Sequence, residues 1–159
     1  MSKVSIDKKV PAFSLSATDD KTVTLDHLQG KNIVLYFYPK DSTPGCTREG
    51  KDFRDKHAEF EKANTVILGV SRDSIQSHEN FKAKQNFNFD LLSDEDETLC
   101  KMFDIYKTGI MGLKKARGIK RSTFLIDADG VLRKEWRSVK VDGHVDEVLD
   151  AVKALNNNQ

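Results

Sequence analysis

The chain has 159 residues, of which 38% are hydrophobic and 32% are charged. This composition is typical of a soluble globular protein rather than of a disordered or membrane chain. Lysine and arginine total 26 against 25 aspartate and glutamate residues, so the formal net charge of +1 gives no reason to expect nucleic acid or an anionic membrane as a partner. The first residues are polar, no apolar stretch approaches the roughly 18 residues of a spanning helix, and only two cysteines are present, so we expect a protein of the reducing cytoplasm without a secretory signal.

Short apolar strands alternate with amphipathic helices along the chain. Strands are predicted, in chain order, at residues 13–15, 22–25, 33–38, 65–70, 89–92, 123–126 and 131–136, with a hairpin at each end of the series. Helices are predicted from residue 47 to 62, from a capping box at Asp73 and Gln76 to residue 85, from a start marked by Ser93 and Asp96, and along the apolar stripe of residues 145–155. This order predicts an α/β fold in one domain over residues 1–159, with a central mixed sheet flanked by helices.

Cys46 lies where a buried strand passes through a turn-rich loop into the first predicted helix. Ligands of open α/β sheets bind beyond the carboxyl ends of strands, and a helix N-terminus stabilises a thiolate through its free N–H groups and partial positive charge. Helical spacing puts Cys46 on the face that Phe53 and Phe60 mark as inward. An arbitrary cysteine on such a face is usually packed and inert, but the loop and the helix start indicate a reactive thiol here.

The residues around Cys46 carry a resemblance to a known family. The spacing Pro39-x-x-x-Thr43-x-x-Cys46 resembles the active-site motif of peroxiredoxins, and the longer string over residues 36–47 is similar to the bacterioferritin-comigratory (Q-type) subfamily. Further matches lie at residues 70–73, 91–94 and 121–130, so the resemblance covers nearly the whole chain. It implies a thioredoxin-like fold and a peroxidase that reduces hydrogen peroxide and organic hydroperoxides without a cofactor.

The resemblance also implies a role for each residue near the thiol. Cys46 would be the peroxidatic cysteine, whose thiolate becomes sulfenic acid. Thr43 would hydrogen-bond the peroxide or the thiolate, and Arg121 would bring positive charge beside the sulfur. Pro39 would shield the pocket, and Gly45 belongs to the same peroxide-binding set. Because nucleophilicity falls as a thiol becomes more acidic, most of the rate must come from orientation and from donors to the leaving oxygen. Without the resemblance, Thr43 would be interpreted as a turn residue whose hydroxyl caps the helix, and Arg121 as a solvated charge at the edge of a strand.

The second cysteine determines how the catalytic cycle closes. Many Q-type members carry a resolving cysteine five residues after the first, where this chain has Lys51. Another placement found in the family, on the following helix, is also vacant, because residues 74–85 contain no cysteine. Cys100 has apolar neighbours and is interpreted as a core residue, with a resolving role after a large rearrangement as the alternative. We therefore predict a one-cysteine cycle in which thioredoxin, glutaredoxin or a small thiol reduces the sulfenic acid.

Other features are interpreted more plainly. A basic stretch precedes Arg121 and is interpreted as a solvated loop, with steering of anionic partners as the alternative; it comprises Lys107, Lys114, Lys115, Arg117 and Lys120. The four histidines show no metal-ligand spacing, so no metal is expected. Glu49 suits the dipole of the first helix and could orient an arginine. Q-type relatives are often monomeric, and we expect a monomer.

Three other functions compete with the peroxidase. A disulfide oxidoreductase of thioredoxin type needs C-x-x-C, but Thr43 occupies the position of the first cysteine. The Pro-x-x-x-Thr-x-x-Cys string argues against an enzyme like glutathione peroxidase, which shares the fold. A peroxide sensor or chaperone-like redox binding protein needs the same reactive thiol and stays open.

Overall fold

The computed structural model describes residues 2–107 and 118–157. Its seven strands are β1 (Ser14–Ala17), β2 (Lys21–Thr24), β3 (Asn32–Phe37), β4 (Thr65–Ser71), β5 (Asp90–Ser93), β6 (Ser122–Ile126) and β7 (Leu132–Arg137). Its helices are α1 (Pro44–Lys62), α2 (Ile75–Gln85), α3 (Thr98–Phe103) and α4 (His144–Asn157), with a short 3-10 turn at Asp26–Leu28. None of the helices in the described ranges is long and apolar enough to cross a membrane.

The strands form one mixed sheet in the order β2-β1-β5-β4-β3-β6-β7. Strands β3, β4 and β5 run parallel, and β6 pairs antiparallel with β3 in a register that sets Phe37 opposite Ser122. Parallel strands need crossover connections, and α1 and α2 supply them here. The predicted α/β order and the mixed sheet are therefore confirmed, with strand ends displaced by one or two residues.

The central strand β3 separates two apolar layers. All six of its residues are buried, because neighbouring strands flank it and both faces of the sheet are covered. Tyr36 faces the layer that contains Cys46 and the inward side chains of α1 and α4. Phe37 faces the opposite layer, which contains Cys100 and the rest of α3. Side chains alternate between the two faces of a strand, so the two cysteines of the chain lie on opposite sides of the sheet.

Three helix starts differ from the sequence prediction. Helix α1 begins at Pro44, three residues early, because Thr43 is extended and proline suits the first helical position. The N-cap of α2 is Ser74, whose hydroxyl accepts a hydrogen bond from the Ser77 N–H, so the capping box at Asp73 is wrong. Asp73 is unavailable there because its carboxylate accepts other hydrogen bonds, described below.

Helix α3 begins at Thr98, and the prediction that Ser93 and Asp96 mark its start is wrong in detail. Asp96 bonds the Thr98 N–H, but the buried carboxylate of Asp94 accepts the next two backbone hydrogens, from Leu99 and Cys100. The start of α3 is therefore held by the buried carboxylate of Asp94. The spacing of nearby residues in the sequence does not show that this carboxylate is buried. Of the predicted basic stretch, Lys114, Lys115 and Arg117 lie outside the described residues.

Candidate active site

Cys46 is the third residue of α1, in the first turn after the carboxyl end of β3. Its side chain faces the core layer of α1, and the residue is only 2% exposed. Backbone N–H groups of a first helical turn lack intrahelical partners and carry partial positive charge. The fold therefore places this nearly buried thiol beside backbone N–H groups that lack intrahelical partners.

Arg121 lies directly before β6, on the same face of the sheet as Cys46. Its Nη2 donates a hydrogen bond to Cys46 Sγ at 3.4 Å, and its Nη1 donates one to Glu49 Oε1 at 2.7 Å. Burial alone would lower the pKa of Arg121, but the facing charges of Glu49 and Cys46 raise it above its usual value. The guanidinium is therefore permanently charged and held between two side chains of α1.

Glu49 is fully buried, and its Oε2 has no hydrogen-bond partner among the described residues. Burial raises the pKa of Glu49 to about 7, against the attraction of Arg121, which lowers it. A buried carboxylate with one free oxygen is costly, so near neutral pH this group lies close to the balance between its two protonation states. The sequence suggested that Glu49 could orient an arginine. Its spacing of three residues from Cys46 and four from Phe53 also puts it on the inward face of α1, a signal that the prediction did not use.

Gly45 allows the guanidinium to come close to α1. A Cβ at this position would lie 3.1 Å from Arg121 Nη2, which is tighter than ordinary contact.

A second basic side chain on this face, His144, is uncharged near neutral pH because burial lowers its pKa to about 4. Its Nε2 lies 2.8 Å from the Thr123 hydroxyl. Arg121 rather than His144 thus supplies the positive charge to this layer.

Thr43 is the half-buried N-cap residue of α1, but its side chain does not cap the helix. The hydroxyl donates to the carbonyl of Lys40 at 2.8 Å, while the Thr43 carbonyl accepts the Thr47 N–H. The expectation of a capping hydroxyl is therefore wrong, because the hydroxyl turns back into its own loop. Its hydrogen is used, and its oxygen remains an acceptor for an incoming O–H group.

Pro39 is half-buried and lines an open cleft beside Arg121. The cleft has a volume of about 440 Å³ and combines apolar and cationic side chains. Its lining residues are Pro39, Tyr106, Lys107, Ile119, Lys120, Arg121, Ser138 and Val139. The structure thus brings Cys46, Arg121 and Gly45 together at the start of α1, with Pro39 at the cleft next to Arg121.

Cys100 lies in the core, as predicted, and is fully buried on the opposite side of the sheet from Cys46. Burial, followed by the neighbouring Asp94 carboxylate, raises the pKa of the Cys100 thiol far above its usual range. A thiol held in this form is a poor nucleophile. Lys51, at the family's usual resolving position, is exposed on α1.

A second polar cluster lies near the site and was not predicted from the sequence. Asp41, in the loop before α1, lies beside His78 of α2 and Asp73, with possible ligand atoms of the three side chains within 4.8 Å of one another. His78 Nδ1 is 2.7 Å from Asp41 Oδ2 and its Nε2 is 2.8 Å from the Leu92 carbonyl. Only tertiary contact reveals such a pairing, because 37 residues separate Asp41 from His78.

Known proteins share both the sequence and this architecture. Residues 6–135 match the model of the AhpC/TSA family. The chain is 54% identical to a peroxiredoxin Bcp of Xanthomonas campestris pv. campestris, over 88% of each chain. It is 48% identical to a peroxiredoxin Bcp of Bacillus subtilis, over 96% of this chain and 98% of the relative. A solved structure of the Xanthomonas campestris bacterioferritin comigratory protein, described with its alkyl peroxide reduction activity, superposes with a TM-score of 0.86 at 52% identity, over 91% of this chain and 92% of that one.

These similarities confirm the peroxiredoxin resemblance and the thioredoxin-like fold. They also decide against the two rival enzymes, the disulfide oxidoreductase and the enzyme like glutathione peroxidase, because the named relatives are peroxiredoxins. The chain belongs to the AhpC/TSA family and is a peroxiredoxin, a thiol-dependent peroxidase.

Proposed function

We propose that Cys46 is the nucleophile of the peroxidase reaction and that Thr43, Arg121, Pro39 and Gly45 form the peroxide site around it. The observation that carries the proposal is the hydrogen bond of 3.4 Å from Arg121 Nη2 to the Sγ atom of Cys46, which lies in the first turn of α1. A permanently charged donor beside a cysteine at a helix N-terminus is the surrounding in which catalytic cysteines are found.

The reaction follows from these positions. The Cys46 thiolate attacks one oxygen of the hydroperoxide, the S–O bond forms, the O–O bond breaks, and the second oxygen leaves with the electron pair and takes a proton from solvent. Arg121 lies next to the sulfur and can stabilise the negative charge that moves onto the leaving oxygen. Thr43, whose own hydrogen goes to Lys40, offers its oxygen to the O–H of the peroxide.

The cleft beside the site supports substrates larger than hydrogen peroxide. Pro39, Ile119 and Val139 give it an apolar lining next to Arg121, and about 440 Å³ is enough for an organic substituent. The alkyl peroxide reduction described for the Xanthomonas campestris relative fits this cleft. We therefore propose hydrogen peroxide and organic hydroperoxides as substrates.

A one-cysteine cycle is supported by the placement of Cys100. A disulfide needs Cα atoms within about 7 Å, and the sheet lies between Cys46 and Cys100. We propose that an external thiol condenses with the sulfenic acid of Cys46, releasing water and forming a mixed disulfide. A second thiol then displaces Cys46 and leaves as the oxidised reductant. Thioredoxin, glutaredoxin and small thiols are the candidate reductants.

We also propose that residues 1–159 form a single domain that works as a monomer in the cytoplasm, without nucleic acid or membrane partners. The sheet that joins all the described strands supports one domain. Among the described residues Ile6 is the one large hydrophobic side chain that is exposed, which favours a monomer. A cycle that consumes external thiols requires a reducing compartment.

The test is peroxide consumption by the wild type, Cys46→Ser and Cys100→Ser, each supplied with a thioredoxin system or with a monothiol. We expect no turnover from Cys46→Ser and full turnover from Cys100→Ser with both reductants. Activity in Cys46→Ser would overturn the assignment of the nucleophile. Loss of only the thioredoxin-driven cycle in Cys100→Ser would make Cys100 a resolving thiol. A peroxide sensor, the alternative that the sequence left open, would oxidise once per chain and stop.

A further inference from the structure

A polar network at the carboxyl ends of β3, β4 and β5 anchors the loop that carries Pro39 and Thr43. Asp41, in the middle of this loop, is 5% exposed, and its carboxylate accepts hydrogen bonds from the Tyr38 hydroxyl at 2.6 Å and the Ser77 hydroxyl at 2.8 Å. His78 of α2 completes the carboxylate's partners at 2.7 Å. The network therefore ties the loop to β3 on one side and to α2 on the other.

Both ring nitrogens of His78 face acceptors. Nε2 meets the Leu92 carbonyl, which can only accept, and Nδ1 meets the Asp41 carboxylate, which already accepts two other hydrogens. Nε2 therefore carries a hydrogen, and Nδ1 shares one with the Asp41 carboxylate, so both nitrogens are engaged within the network and neither is free to bind a metal ion. A buried pair of this kind stays in place because its hydrogen bonds are complete, which makes it a rigid anchor.

The peptide group between Lys40 and Asp41 connects this anchor to Thr43. Its N–H, from Asp41, donates to Asp73 Oδ2 at 2.9 Å, and its carbonyl, from Lys40, accepts the Thr43 hydroxyl at 2.8 Å. The peptide group is planar, so fixing the N–H also fixes the direction of the carbonyl. An N–H bonded to a carboxylate polarises its own carbonyl, which strengthens the bond from Thr43.

We propose that Asp73 is a positioning residue for the peroxide step: it orients the Thr43 hydroxyl through the Lys40–Asp41 peptide group, in a loop that the Asp41–His78 pair holds still. This inference rests on the proposed function, because Thr43 contacts the peroxide there. The Asp73 carboxylate accepts hydrogen bonds from the Asp41 N–H and from the Ser71 hydroxyl. Its effect on the reaction comes entirely from the direction in which it holds the Thr43 hydroxyl.

The experiment is a double-mutant cycle between Asp73→Ala and Thr43→Val, read as the second-order rate constant for Cys46 oxidation by hydrogen peroxide. Displacing a contacting group by a fraction of an ångström to one ångström costs about 10- to 100-fold, so we expect a loss of that size in Asp73→Ala. In the Thr43→Val background the same change should cost nothing further, because the hydroxyl that it orients is gone. Asp73→Asn, which keeps an oxygen acceptor, should recover most of the rate.

Two readouts separate positioning from simple loss of structure. Alkylation of Cys46 by iodoacetamide reports the thiolate without using Thr43, and it should proceed at the wild-type rate in Asp73→Ala. Asp127→Ala is the matched control: this carboxylate is 2% exposed, accepts two backbone hydrogens, and lies where β6 ends, away from the loop. We expect Asp127→Ala to lower thermal stability and to leave the peroxide rate constant unchanged.

The proposal is overturned if Asp73→Ala costs the same factor with and without the Thr43 hydroxyl, if alkylation falls in parallel with oxidation, or if Asp73→Asn is as slow as Asp73→Ala. It is also overturned if Asp73→Ala oxidises at the wild-type rate. Failure of the proposed function looks different, because the wild type itself would then leave peroxide unconsumed or Cys46→Ser would remain active.

Discussion

The Arg121 guanidinium lies 3.4 Å from the sulfur of Cys46, and the same group donates at 2.7 Å to the buried carboxylate of Glu49. One cation therefore contacts two ionisable side chains, both on one face of α1. The charge available to the sulfur depends on the protonation of Glu49, since a neutral carboxyl competes less for the guanidinium.

Replacing Arg121 by methionine should lower the rate constant for Cys46 oxidation by about 100- to 1,000-fold, the usual cost of losing a donor to developing negative charge. Stopped-flow competition with a second peroxidase measures this constant. The matched control is Arg137→Met on β7, where a partly buried arginine donates to the carbonyls of Phe103 and Asp104 instead. A loss below about tenfold in Arg121→Met would contradict the role given to Arg121.

Glu49 should make the protein less stable as pH rises. Burial raises its pKa from 4.5 to about 7 in the folded protein, so folding favours the protonated form, and stability falls as pH increases from 4.5 through 7. Glu49→Gln removes this titration. Between pH 4 and pH 8, the free energy of unfolding of Glu49→Gln should rise by about 3 kcal/mol relative to that of the wild type.

Urea unfolding of both proteins at each pH measures the difference. Glu59→Gln on the exposed side of α1 is the control and should not reproduce the gain seen for Glu49→Gln. A difference between Glu49→Gln and the wild type that does not change with pH would contradict the raised pKa of Glu49.

Gly45→Ala should slow the oxidation of Cys46. The added Cβ would meet Arg121 Nη2 at 3.1 Å and displace the guanidinium from the sulfur, so peroxide oxidation should slow by about tenfold. Alanine favours a helix over glycine by about 0.5–1 kcal/mol, but the displaced guanidinium also loosens its hydrogen bond to the buried Glu49 carboxylate, so the free energy of unfolding should not rise. Lys51→Ala, on the exposed side of the same helix, should leave the oxidation rate unchanged. Unchanged oxidation in Gly45→Ala would show that the site tolerates a shifted arginine.

Oxidation with one equivalent of peroxide should leave the two thiols of the chain in different states. Cys46 should become a sulfenic acid that dimedone traps, while Cys100 stays reduced and reacts with iodoacetamide only after unfolding, because it is fully buried on the other side of the sheet. Peptide mass spectrometry distinguishes these products. An intramolecular Cys46–Cys100 disulfide in the folded protein would refute the one-cysteine cycle.

Local patterns predicted the part of the fold that depends on neighbours in sequence. The apolar run of β3, the hairpins at both ends and the position of Cys46 at a helix start follow from periodicity and from turn residues. The order of strands in the sheet, with β1 and β2 beside β5, required the structure. Thr43 and Arg121 came from the family motif rather than from local physics.

The rest depends on contacts between distant parts of the chain. Helical spacing puts Glu49 on the inward face with Phe53, but its partner Arg121 is 72 residues away, and only the tertiary contact shows which cation the carboxylate meets. Asp73 looked like a helix cap because its spacing to Gln76 fits one, but the N–H of Asp41 occupies its carboxylate. In both cases the tertiary contact, not the local pattern, determines what the side chain does.

The antiparallel pairing of β3 with β6 determines where Arg121 lies relative to Cys46. Phe37 pairs with Ser122, so the main-chain register of the two strands sets the position of Arg121 and the face of the sheet on which its side chain lies. A slip of one residue turns every side chain of a strand to its other face. A single deletion within β6 would carry the guanidinium through the sheet to the side that holds Cys100, while the sulfur of Cys46 stayed behind. Under the role proposed for Arg121, an insertion or deletion within the paired segments of β3 and β6 should therefore abolish peroxide reduction.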